Sequence, residues 1–130
     1  MREMILQQSC PVFVEEIAKS ETTLTTLDEI IGYIKVKIDE DPNVAYIAEF
    51  DHYAHTTSLP HGEVAPEIVA AKNLLFCFGP KIPSPYMMAL KPRSMGITET
   101  KDGFVITFLE APLPMATKAM ISWAESVKNK

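Results

Sequence analysis

A chain of 130 residues, 47% apolar and 22% charged, has the composition of a single globular domain large enough to bury a core without disulfides or metals. Its net charge of −5 excludes the basic footprint of a non-specific nucleic-acid binder, and Arg2 and Arg93 supply its guanidinium groups. No run approaches the roughly 18 apolar residues of a membrane span, and the opening "MREMILQQSC" lacks the pattern of a secretory signal, so a cytoplasmic protein with reduced Cys10 and Cys77 is expected.

In chain order, "PVFVEEIAKS" (11–20) sets Val12 and Val14 opposite Phe13 and reads as a first strand. A helix follows. Thr26 and Glu29 have the spacing of a capping box, and Leu27, Ile30, Ile31, Ile34 and Ile38 fall on one face. Gly32 lies off that stripe, and "DEDPN" (39–43) ends the helix. "VAYIAEFDHY" (44–53) is a second strand, with Val44, Tyr46, Ala48 and Phe50 on one face and Ile47, Glu49 and Asp51 on the other. "HTTSLPHGEVAPE" (55–67) reads as a loop.

"NLLFCFG" (73–79), apolar on both faces, is expected to be an inner strand closed by Gly79-Pro80, with Cys77 as a small buried hydrophobe. A short helix is expected around Tyr86–Leu90. Asp102-Gly103 is the expected turn of a hairpin, after which Phe104, Ile106 and Phe108 share a face. The last helix, opened by prolines, repeats Met115, Ala119, Trp123 and Val127 at every fourth residue, and Glu110 is placed at its start. The order β-α-β-β-β-β-α calls for a two-layer α+β domain over residues 1–130, an antiparallel sheet with two helices on one face.

The helix before "YIAEFDH", the strand "LLFCFGP" and the late hairpin ahead of the C-terminal helix resemble the TATA-binding-protein-like fold, and within it the small bacterial family called domain of unknown function 302. The resemblance spans roughly residues 22–127 in layout. It implies this α+β fold and a homodimer, and it implies no catalytic residue.

The densest chemistry is "FDHYAHTTS" (50–58), which holds two of the three histidines. On a continuing strand, His52 and His55 would point to opposite faces about 10 Å apart and could not share an ion; on a helix they would share a face. Asp51 and Tyr53 share a strand face and could approach one ligand. The same residues could instead anchor a loop through hydrogen bonds to its backbone. Lys81, Lys91 and Arg93 flank a Pro-rich stretch and could bind a carboxylate or phosphate, although the glycine pattern of a phosphate loop is missing. Met87, Met88, Met95, Met115 and Met120 fill core gaps or line an apolar pocket.

The residues therefore point first to a small-molecule-binding module for a small anionic or mixed-polarity ligand. Its candidate contacts are Asp51, His52, Tyr53, His55, Lys81 and Arg93, and no metal or cofactor is named by the sequence. A histidine-dependent or metal-dependent enzyme with Glu49 or Asp51 beside the histidine, and a protein-interaction domain with an exposed sheet edge, are the alternatives.

Overall fold

The computed structural model describes residues 1–5, 10–79 and 81–130. Five strands, β1 (Val12–Ala18), β2 (Val44–Asp51), β3 (Ile68–Phe78), β4 (Arg93–Thr100) and β5 (Gly103–Leu109), join three α-helices: α1 (Leu27–Glu40), α2 (His52–Thr57) and α3 (Pro114–Ser126). The sheet is antiparallel in the order β1-β5-β4-β3-β2, so β2 to β5 form a meander and β1 returns beside β5. The expected two-layer α+β architecture is the one observed, and the short helix near Tyr86 is a 3-10 segment, Pro85–Leu90. No helix among the described residues is long and apolar enough to cross a membrane.

Alternation in the strands decides which face the helices cover. Leu74, Phe76 and Phe78 of β3, Met95 and Ile97 of β4, and Phe104, Ile106 and Phe108 of β5 all point to one side. There they pack in one core with Leu27, Ile30, Ile31, Ile34 and Ile38 of α1 and Ala116, Met120, Trp123 and Ala124 of α3. Phe76 meets the Trp123 ring edge-on at 5.5 Å, and Phe78 stacks on it at 5.7 Å. Among the described residues no helix lies on the centre of the opposite side of the sheet, and there Val12, Val14, Phe50 and Leu109 are exposed.

The helix signals in the sequence correspond to real caps. Thr26 Oγ1 accepts from Glu29 N at 3.1 Å, while the Glu29 carboxylate reaches the backbone N–H of Thr25 at 2.8 Å, one residue earlier than a standard capping box. Gly32 faces open space, with nothing within 4 Å of where a Cβ would stand. Gly32→Ala should therefore stabilise the protein by about 1 kcal/mol, because only the helix-propensity term changes. A urea midpoint that rises with unchanged m-value is the expected observation; a fall would show that the position needs glycine for another reason.

Several expectations are corrected. A bulge at Ile47 shifts the β2–β3 register between Tyr46 and Ala48, so Tyr46 pairs with Phe76 on the core side while Phe50 pairs with Asn73 on the open side. Strict alternation had placed Tyr46 and Phe50 together. β2 stops at Asp51, and the segment taken for strand end and loop begins with α2. β3 starts at Ile68, five residues ahead of Asn73, because its alanines and Lys72 are held by pairing on both sides rather than by propensity.

The hairpin turn is Lys101-Asp102. Gly103 is already in β5 and has no positive φ, whereas Gly79 (φ 88°) does. Pro80 lies outside the described residues. At the end of the last helix Trp123 and Val127 are buried as the expected repeat requires, but before them the buried residues are Ala116 and Met120, each one place after the expected Met115 and Ala119, which leaves Met115 45% exposed. Glu110 precedes α3 by a short loop, and its N–H donates to Pro11 O. Cys77 is half-buried on the open face, outside the core, and both cysteines are free.

Candidate functional site

The polar cluster at the end of β2 is built by a change of secondary structure. The Asp51 carboxylate accepts from the Ala54 N–H at 2.9 Å and caps α2, while Thr57 Oγ1 donates back to Tyr53 O at 2.9 Å and Ser58 Oγ to His55 O at 2.7 Å. Asp51 is thus spent largely on the helix start, as the loop-anchor alternative anticipates. Asp51→Ala should cost about 0.5–2 kcal/mol, read as a lower thermal midpoint, with amide exchange accelerated within α2 more than in α1. Unchanged exchange at Ala54 would contradict this role.

Being helical, His52 and His55 fall on one side, and both meet Phe50. The ring of Phe50 lies 5.4 Å from His52 and 5.3 Å from His55, and the two imidazoles are 6.4 Å apart. Both histidines are exposed. Among the described residues no group of three or more His, Cys, Asp or Glu is placed to hold a metal ion. His52 Nδ1 stands 3.2 Å from Asn73 Oδ1, so its proton and the amide orientation are fixed together. His52 and Tyr53 also line a shallow depression of about 240 Å³ with Thr56, Glu63 and Val64.

On the other side of the sheet, Lys72 pairs in register with Asp51 but reaches Asp28 at the start of α1, with Nζ to Oδ1 at 2.9 Å. That hydrogen bond holds Lys72 above its ordinary 10.5; partial burial opposes the shift, and the charges of Asp28, Glu49 and Asp51 reinforce it. The stabilisation it brings is complete below pH 10.5 and fades only as pH rises through the raised value.

Lys81 and Arg93 stand elsewhere, at a cleft between the 3-10 segment Pro85–Leu90 and the start of α3. Its volume is about 370 Å³, and almost all of its lining is apolar. Phe78, Ala111 and Ala116 form a buried floor, and Met87, Leu113 and Met115 form the walls. Three cations border it, and two of them are engaged with backbone. Arg93 donates to the carbonyls of Leu90 (3.1 Å), Leu109 (3.1 Å) and Glu110 (2.8 Å), tying the β4 start to the β5 end. Lys91 Nζ donates to Phe78 O (3.2 Å) and Lys81 O (3.1 Å), which leaves one of its three N–H groups. Neither Lys81 nor Lys91 has a carboxylate partner among the described residues.

A second depression, about 460 Å³, lies on the sheet face that no described helix covers and is bordered by Val12, Asn73, Ser94, Gly96, Thr107 and Leu109, with Cys10 and Arg93 also in its lining. The fold thus brings Asp51, His52, Tyr53 and His55 together at α2 and places Lys81 and Arg93 at a separate cleft. Sequence reasoning missed Asn73 and Gly96. The available signals were a polar residue opening an apolar run and a glycine inside the strand "SMGITET".

These features define an α+β protein with one helix-covered and one open sheet face, and with a cation-edged apolar cleft at one end. The chain belongs to the family of unknown function DUF6858, whose model matches residues 1–129. The family shown is this one rather than domain of unknown function 302. Among curated proteins none matches the chain.

Proposed function

We propose that the protein binds a small amphipathic anion, a carboxylate or similar acid on an apolar body, in the cleft between Pro85–Leu90 and α3. The observation that carries this reading is the pairing of an apolar cleft of about 370 Å³ with Lys81 and Lys91 at its edge, neither of which forms an ion pair among the described residues. Ligand clefts of roughly 300–1,000 Å³ have this make-up, apolar walls with a few placed polar groups. Phe78, Leu113 and the methionines would take the apolar body, methionine adapting to its shape. Lys81, exposed and unpaired, and the remaining N–H of Lys91 would meet the acid group.

Anilinonaphthalene sulfonate, an apolar anion, tests this directly. It should bind saturably at one site with rising fluorescence, and octanoate should displace it. Met115→Glu should abolish that binding by placing a negative charge in the wall. Met115 is exposed in the first turn of α3, where an acidic residue suits the helix dipole, so loss of fold would not account for the result. Undiminished binding in Met115→Glu would overturn the reading.

The order β-α-β-α-β-β-β-α, in which the short α2 follows β2, with β1 returning beside β5, supports kinship with the TATA-binding-protein-like fold and through it with domain of unknown function 302.

A further inference from the structure

The open face of the sheet carries a second feature of different chemistry. Across its middle, Phe50, Asn73, Gly96, Thr107 and Val14 stand side by side in register on the five strands. None of these side chains is charged. Gly96 leaves bare backbone at the centre of the row. A Cβ there would stand 3.2 Å from Thr107 Oγ1 and 3.5 Å from Asn73 Nδ2, so a hydroxyl and an amide N–H₂ flank the gap on its two sides. With the His52 proton on Nδ1, Asn73 Oδ1 accepts from it at 3.2 Å, and in that tautomer the amide N–H₂ is the end turned toward Gly96. Val12 and Leu109, both about half exposed, rim the depression of about 460 Å³, with Ser94 adding a further hydroxyl.

We propose that the Gly96 recess is a binding site for a neutral, flat, hydrogen-bonding ring of the nucleobase or nicotinamide class. The glycine lets a ring lie on the strand backbone, where any side chain would hold it off. The Asn73 N–H₂ donates to a ring carbonyl or ring nitrogen, and Thr107 Oγ1 donates or accepts at the opposite edge. Val12 and Leu109 cover apolar ring surface. The row itself carries no cation, and Arg93, which also lines the depression, is committed to the carbonyls of Leu90, Leu109 and Glu110, which separates this ligand from the anion of the α3 cleft. The net charge of −5 favours a free ring over a nucleic acid. His52 acts as a positioning residue: its Nδ1 keeps the Asn73 donor aimed at the recess.

The test is a ¹⁵N-correlation titration of the full chain with adenine, uracil and nicotinamide in turn. At least one should move the Gly96 backbone amide and the Asn73 side-chain amide saturably. Gly96→Val, which fills the recess, should abolish those shifts. Asn73→Leu, which keeps similar bulk and removes the donor, should weaken binding tenfold or more and supplies the answer should the valine variant fold poorly. Met115→Glu should leave this binding unchanged while removing binding of anilinonaphthalene sulfonate, so failure of one site is distinguishable from failure of the other. The proposal is overturned if none of the three rings moves Gly96, if Asn73→Leu binds as the wild type does, or if the shifts centre on Met87 and Met115.

Discussion

Replacing Phe76 by alanine should destabilise the protein by about 3–5 kcal/mol, a fall of about 10–20 °C in thermal midpoint for a domain of this size. Phe76 is wholly buried on the inner strand β3, between Tyr46 of β2 and Arg93 of β4 in register. Its ring meets Phe78 at 5.7 Å and Trp123 at 5.5 Å, both edge-on, so it couples the middle of the sheet to α3. The cavity left by alanine cannot collapse easily, because the neighbours are strand backbone and two large rings. Phe76→Leu retains much of the volume and should cost less than half as much. Denaturant unfolding of both variants measures this, and equal losses would show that ring contacts rather than volume set the cost.

Gly103→Ala should be strongly damaging for a single added methyl, costing about 1–3 kcal/mol or more. Gly103 pairs with Ala18 at the end of the β1–β5 ladder, and a Cβ there would collide with the Ile17 carbonyl oxygen and stand 3.1 Å from Ala18 Cα. The obstacle is backbone, so no rotamer change relieves it. β1 is an edge strand held through β5, which makes separation of the two the expected response. Faster amide exchange at Ile17 and Ala18, with β3 and β4 protected as before, would confirm it. Comparison with Gly32→Ala sharpens the point: the same methyl should stabilise one site and destabilise the other, because one glycine faces solvent and the other a carbonyl.

Much of the fold was legible because it rests on local periodicity. Leu27, Ile30, Ile31, Ile34 and Ile38 announce the α1 face, and Phe104, Ile106 and Phe108 announce the core side of β5. Features that depend on pairing or on a single cap were not legible. The bulge at Ile47 comes from register against β3 and has no local marker, yet it carries Phe50 to the open face and so to the two histidines. Asp51 reads equally as strand or cap until its carboxylate is seen on Ala54 N. Gly103 was legible as a hairpin residue for the wrong reason: it is needed for close packing against Ile17, not for a positive φ.

The candidate sites divide in the same way. Residue types single out the histidines and the cations as two groups, but their separation into different places is a tertiary fact. Arg93 looks like an anion clamp in sequence and is a backbone tie in the structure, its guanidinium committed to three carbonyls. Met115 looks like core by its spacing with Ala119 and Trp123. Trp123 is buried as that spacing requires, but the N-terminal half of the α3 seam runs through Ala116 and Met120, and Met115 stands at the wall of the cleft.

The most direct test of the anion-binding claim is a titration with octanoate, followed through the methyl resonances of protein labelled at its methionines. Met87 and Met115, which line the cleft, should move together and saturate with a single dissociation constant, and the Met115→Glu variant should show no saturable change at Met87. Methionine methyls that stay fixed through the titration, or that move without saturating, would contradict the account.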